Sequence, residues 1–149
     1  MILALPPSTE YSRANTIGTR NILFANAIVK QILNIIEYLK PRFYFIINSQ
    51  TSLLKDQYMM QSLNYEDVDC CEYGIQYRKR TRIWTNCNKW IPRALCCKDC
   101  GMIRNNKHIK IIPKNEDNNR NKQNELYKIP EQLWYEIFAS INKCDVTEM

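Results

Sequence analysis

Residues 21–48 constrain this chain more than any other stretch. Phe24, Ala27, Ile28, Ile32, Ile35, Ile36 and Leu39 recur at three- and four-residue spacing, which places an apolar stripe along one helix. Pro41 ends that helix, because proline has no N–H to donate and its ring clashes with the preceding turn. Residues 42–48 then read RFYFIIN, an aromatic and β-branched run of the kind found in strands covered on both faces. In front lies a short apolar run, Ile2 to Leu5, stopped by Pro6 and Pro7. Strand, helix and strand at this spacing predict a parallel βαβ unit with a right-handed crossover, and the fold class is α/β.

Beyond residue 50 the pattern weakens. Residues 52–63 predict a short amphipathic helix, and residues 65–74 and 81–86 predict two strands joined through IQYRKR. Residues 86–128 form an irregular Cys-, Asn- and Lys-rich stretch, of which 112–127 is nearly devoid of apolar side chains and reads as a solvated loop. Helical spacing returns after Pro130, with Leu133, Ile137 and Ile141 on one face. No repeat is present, and the 149 residues are expected to form a single domain.

Composition narrows the function. The net charge of +6 leans toward an anionic partner, nucleic acid first. Three glycines in all leave no glycine-rich phosphate loop. No continuous 18-residue apolar run is present and the start lacks a basic leader, so neither a membrane span nor a signal peptide is expected. Seven cysteines without such a leader predict a reducing, intracellular compartment, with the thiols buried or bound to metal.

Four segments occur in an order that carries more information than any one of them: PPSTEYSRA from Pro6, FIINSQTSLLK from Phe45, YGIQYRKRTRIWTN from Tyr73 and YKIPEQLWYEI from Tyr127. Together they resemble the second half of a cytosine-5 DNA methyltransferase of the short phage and viral type. They are similar to its Pro-Pro-Cys loop, its Glu-Asn-Pro segment, its Gln-x-Arg-x-Arg segment and its closing helix. The resemblance implies a partial Rossmann-like class I methyltransferase sheet lacking its first three strands, so that residues 2–5 become a bare sheet edge. It also implies a parent that flipped a cytosine out of duplex DNA, attacked carbon 6 with a thiolate and delivered a methyl group from S-adenosylmethionine.

The departures fall on the chemistry. Ser8 stands at the nucleophile position and Ile47 at the glutamate position. An alcohol is essentially un-ionised near neutral pH where a thiol is a few per cent ionised, and no histidine is near Ser8 in sequence. Isoleucine neither donates to a base edge nor accepts from it, and losing one good charged contact alone costs about 3 kcal/mol. With the glycine-bearing cofactor half also missing, the expectation is a methyltransferase-like protein without catalysis. The alternatives are a DNA-binding regulatory module and one half of a split enzyme completed by a second polypeptide. Arg13, Arg78, Arg80 and Arg82 are the expected DNA contacts, the last two matching the family's Arg-x-Arg pair. Asn48, next to Ile47, is expected to tie loop backbone together. Cys70 and Cys71, adjacent in an expected strand, should face opposite ways. Cys97-x-x-Cys100, with Cys87 or Cys96 and His108 nearby, offers ligands for a structural zinc, and the expected set is Cys87, Cys97, Cys100 and His108.

Overall fold

The computed structural model of the chain describes residues 1–13, 19–110 and 127–142. It divides into two compact units, one formed by Met1–Asp67 with Arg80–Asn88, the other by Val68–Lys79 with Lys89–Met149.

The first unit is a layer of helix on sheet. Strand β1, Ile2–Ala4, pairs in parallel with β2, Tyr44–Ser49, and helix α1, Ile22–Leu39, connects them. The βαβ unit expected from residues 2–48 is therefore present. Strand β4, Arg80–Thr85, runs antiparallel to β2, pairing Ile47 with Ile83 and Asn48 with Arg82. With β3, Tyr65–Asp69, the sheet order is β1-β2-β4-β3, so β1 lies at an edge. Residues 45–48 of β2 are all buried, as a strand covered on both faces requires.

Asn21 caps α1 by accepting the Phe24 N–H, and Lys40 closes it in the left-handed region, its N–H bonded to the Ile36 carbonyl. The face that enters the core is only partly the expected one, since Ile32 and Ile36 of the expected stripe pack against it. Ala25 and Val29 are fully buried with Ile22, Ile32, Leu33 and Ile36 around them, whereas Phe24 and Leu39 of the expected stripe are 60% and 58% exposed. Apolar residues surround most of this helix, so spacing alone admits two faces; the small Ala25 lets the sheet approach on one of them. By length and composition alone α1 is also apolar enough to cross a membrane, with mean hydropathy 1.4 over 18 residues, a property that core helices of soluble proteins share. Here it carries Ala25 and Val29 into a core shared with Ala4, Tyr11, Ile46 and Trp84.

Residues 52–63 correct a second expectation. They form two short 3-10 turns, Leu53–Asp56 and Tyr58–Met60, in place of an α-helix. Gln57 between them is extended, and a contact with α1 accounts for it. Its side-chain oxygen accepts from Asn26 Nδ2 at 2.9 Å while its Nε2 donates to the Leu53 carbonyl at 3.0 Å, so the residue is drawn out to meet α1. Asn26 in turn accepts the Tyr11 hydroxyl at 2.7 Å.

In the second unit, Cys70–Tyr73 is a 3-10 turn ended by Gly74 at φ 95°, a conformation that favours glycine. Cys70 and Cys71 thus lie on a turn and not in a strand, and both are buried. Helix α2, Glu131–Asn142, buries Leu133 and Ile137 as expected. Arg93 anchors it: the guanidinium donates to Glu136 and lies over the Tyr73 ring, and its backbone N–H donates to the Tyr73 hydroxyl at 2.9 Å. The irregular stretch is better ordered than its composition suggests, since Ile103–Arg104 (β5) and Lys107–His108 (β6) form a hairpin. Of the stretch 112–127 expected to be a solvated loop, all but Tyr127 lies outside the described residues.

Candidate functional sites

Two groups of residues bear on function, one in each unit. In the first, the Pro6–Pro7–Ser8 loop leaves β1 and is held to β2 by one side chain. Asn48 donates from Nδ2 to the Pro6 carbonyl at 3.3 Å and accepts the Ser49 N–H at 2.8 Å. Asn48 is buried, so these bonds are shielded from water and fix where the loop sits. Ser8 is half-buried beyond them. Ile47, the preceding residue, is 5% exposed and its side chain is part of the core.

The arginines of this unit are held by partners. Arg82 makes a two-pronged bond to Asp67, Nε to Oδ1 and Nη2 to Oδ2 both at 2.8 Å, and its guanidinium lies 3.6 Å from the Tyr65 ring centre. Only 12% of the Arg82 side chain is exposed, and its protonated form is favoured first by the Asp67 hydrogen bonds. Arg13 pairs with Asp56 at 2.8 Å on the surface. Arg80 is half-buried and its carbonyl accepts the Gln50 N–H at 3.1 Å.

In the second unit the cysteines converge. Asp69, fully buried, accepts the Cys96 N–H at 3.1 Å and pairs with Arg78 at 3.4 Å, so the strand end that leads into the Cys70–Tyr73 turn also fixes the backbone of Cys96. Lys98 at φ 72° and Gly101 at φ 73° fold the chain back around Cys96 and Cys100, and the Lys98 N–H donates to Cys96 Sγ at 3.3 Å. Asn105 and Asn106, at φ 51° and 62°, make the two-residue turn that asparagine tolerates best after glycine. That turn returns His108 opposite Ile103.

The result is one group: the sulfurs of Cys71, Cys96 and Cys100 and a ring nitrogen of His108 all lie within 4.8 Å of one another. Of the expected ligands Cys100 and His108 belong to it; Cys87 and Cys97 do not. Cys87 is buried in the first unit, its N–H donating to Thr85 Oγ1, and the exposed Cys97 donates its thiol to the Leu95 carbonyl. Burial pushes the Cys71 thiol strongly up, reinforced by Cys96 and by the charge of Cys100; burial raises Cys96 as well, opposed by the Lys98 N–H. Both shifts favour the protonated thiols of Cys71 and Cys96.

Beside this group runs a shallow groove lined by Arg78, Lys98, Asn106, Lys107, His108 and Lys110. Lys98 Nζ donates to Asn106 Oδ1 at 3.1 Å, tying the cysteine turn to the hairpin tip. Sequence reading missed Lys98, Lys107 and Lys110, and it missed Cys71. The available signal was Asn105-Asn106 between Ile103 and Ile109, a hairpin turn that brings Lys107 and His108 to one end.

No family model matches this chain. Over 73 residues it is 33% identical to a protein of Frog virus 3 (isolate Goorha) described as a probable DNA (cytosine-5)-methyltransferase, a match that takes in 48% of this chain and 33% of that protein. The aligned stretch is thus about a third of the length of the curated relative, and the likeness supports a distant relation to that family.

Proposed function

We propose that this chain is a DNA-binding relative of the cytosine-5 DNA methyltransferases that carries out no methyl transfer. The observation that carries the second half of this reading is the join between β2 and the Pro-Pro loop. Asn48 still holds the loop at the Pro6 carbonyl, so its frame is kept, while Ser8 and the core side chain Ile47 occupy the two positions where the chemistry would be. Reaching a base from Ile47 would mean pulling it out of the core.

The sheet fits the later strands of a Rossmann-like class I methyltransferase, with β1 and β2 parallel across α1 and β1 at the edge where an earlier strand would pair. The family uses S-adenosylmethionine, and among the described residues neither Gly74 nor Gly101 forms a close-approach turn for it, since a Cβ added at either would meet nothing within 4 Å. Gly18 lies outside the described residues. No step of the proposed function passes through that cofactor.

DNA binding is assigned to the groove of the second unit, where Lys98, Lys107 and Lys110 gather around a hairpin tip with Asn105 and Asn106, while Arg78 on the same groove is paired with Asp69. Such a surface neutralises phosphates without reading bases. Arg80 is retained as a phosphate contact of the first unit; Arg13 and Arg82 are given to the fold, since Asp56 and Asp67 hold them. Fluorescence anisotropy with a labelled duplex at several salt concentrations tests this. The expected result is affinity that falls steeply with salt, with a slope shallower by about one in Lys107→Ala and again in Lys110→Ala. Salt-independent binding, no binding, or methyl transfer to DNA that disappears in Ser8→Ala would each overturn the reading.

One observation favours a second reading, in which another polypeptide completes the first unit. Leu23, Phe24, Ile35, Tyr38 and Leu39 on the outer side of α1 are 49% exposed or more, and Leu3 and Leu5 at the edge strand are 42% and 57% exposed. Side chains of this kind on one helix and the adjacent sheet edge are what a covering chain would bury. Light scattering of the isolated protein distinguishes the readings: a monodisperse monomer favours the first, self-association relieved by co-expression of a cofactor-binding half favours the second.

A further inference from the structure

We propose that Cys71, Cys96, Cys100 and His108 bind one zinc ion that holds the second unit together. This rests on the geometry of the four residues and not on the DNA-binding reading.

Three thiolates and an imidazole are a donor set suited to a tetrahedral zinc. With Zn–S near 2.3 Å and Zn–N near 2.05 Å, the edges of such a tetrahedron are about 3.6 Å for S···N and about 3.8 Å for S···S. His108 Nε2 lies 3.6 Å from Cys96 Sγ and 3.6 Å from Cys100 Sγ, and the four ligand atoms lie within 4.8 Å. A single ring nitrogen has one lone pair or one proton to direct. Two sulfurs at equal distance from it are served together by a common centre, and by a hydrogen bond only one at a time.

The surroundings are those of a metal ligand set. The Lys98 N–H donates to Cys96 Sγ, which offsets charge on a bound thiolate, and the buried Asp69 fixes the Cys96 backbone. All four positions come from the protein, so the site is closed and its role is structural. The fold also needs such a staple. Across residues 91–110, which include a defined turn and a hairpin, Cys96 is the sole buried side chain. A segment with so little core holds a unique conformation only when something else links it, and a zinc ion supplies that link in small units. Cys71 comes from before β4 and the other three ligands from after it, so the ion joins segments far apart in sequence.

The test is metal titration of the full chain, reduced and freed of metal. Co²⁺ is expected to bind at about one equivalent with the strong visible bands of a tetrahedral site and a near-ultraviolet thiolate charge-transfer band, and Zn²⁺ is expected to displace it. Cys100→Ser and His108→Gln should each weaken binding by more than about tenfold, whereas Cys87→Ser and Cys97→Ser should leave stoichiometry and spectrum unchanged. Failure of the wild-type chain to bind, weak bands of an octahedral ion, or loss of the spectrum in Cys97→Ser would overturn the proposal. The wild-type spectrum decides the matter even if a ligand variant does not fold.

Discussion

Replacing Arg82 by alanine separates a structural arginine from a DNA-contacting one. The guanidinium is bonded at both prongs to Asp67 at 2.8 Å and stacked on Tyr65, with 12% and 18% of the two charged side chains exposed. An exposed ion pair contributes about 0–1 kcal/mol, whereas breaking a buried one by removing a single partner costs about 3–5 kcal/mol, because the remaining charge is stranded. This pair lies nearer the buried limit without reaching it, and the ring contact adds about 0.5–1 kcal/mol. We therefore expect Arg82→Ala to lose about 2–3 kcal/mol of stability. With a urea dependence of about 1.5–2 kcal/mol per molar, the midpoint should fall by about 1.5 M. Asp67→Asn should recover part of the loss in the double variant, giving a coupling energy of about 1–2 kcal/mol. Urea unfolding followed by tryptophan fluorescence measures both, with duplex binding assayed beside it. A midpoint shift below about 0.3 M, together with a clear loss of DNA affinity, would refute the assignment of Arg82 to the fold.

Further expectations are independent of that pair. Asn48→Ala removes the bonds to the Pro6 carbonyl and the Ser49 N–H from a buried position and should cost about 1–3 kcal/mol, read by thermal unfolding. Ile47→Glu, which restores the residue type of the catalytic family, should yield no methyl transfer and should lower stability by more than about 3 kcal/mol, since it buries a carboxyl in the core. Burial pushes the Tyr11 hydroxyl from 10.0 up to about 12. Its neutral form is the one the fold favours, so its contribution is fully present below pH 10 and is lost as pH rises from about 10 to about 12. The urea midpoint should fall across that window, and less so in Tyr11→Phe, although Tyr44 and Tyr73, also raised, contribute in the same direction. Chelation of metal should weaken DNA binding through the groove, because Lys98 and Lys107 lie on the turn and hairpin that carry Cys100 and His108; anisotropy with and without added Zn²⁺ measures it.

What sequence revealed followed the strength of local pattern. Helix α1 and strand β2 were legible in extent because Asn21, Pro41 and a continuous apolar run mark their limits, and α2 because Pro130 and the Leu133–Ile137 spacing do. The buried face of α1 was legible only in part, since a helix apolar on two sides is resolved only by what packs on it. Residues 52–63 were misread because the helical spacing is real, but the bond between Gln57 and Asn26 is a tertiary contact that breaks it into two turns. The Cys/His cluster was partly legible: Cys96, weighed as an alternative to Cys87, shares a short stretch with Cys100 and His108, while Cys71 joins through Asp69, a link that no spacing rule contains.

The two units also share the chain in an interleaved way. Residues 68–79 leave the first unit after Asp67 and return to it at Arg80, and in between they belong to the second. Neither unit is a cassette. A deletion that removes everything after residue 88 still leaves Cys71 and its turn behind, and one that removes 68–79 severs the sheet from its own β4. Recombination and gene erosion would thus find no cut that discards one unit cleanly. A chain that uses the basic hairpin of the second unit therefore also carries the sheet and the Pro-Pro loop of the first.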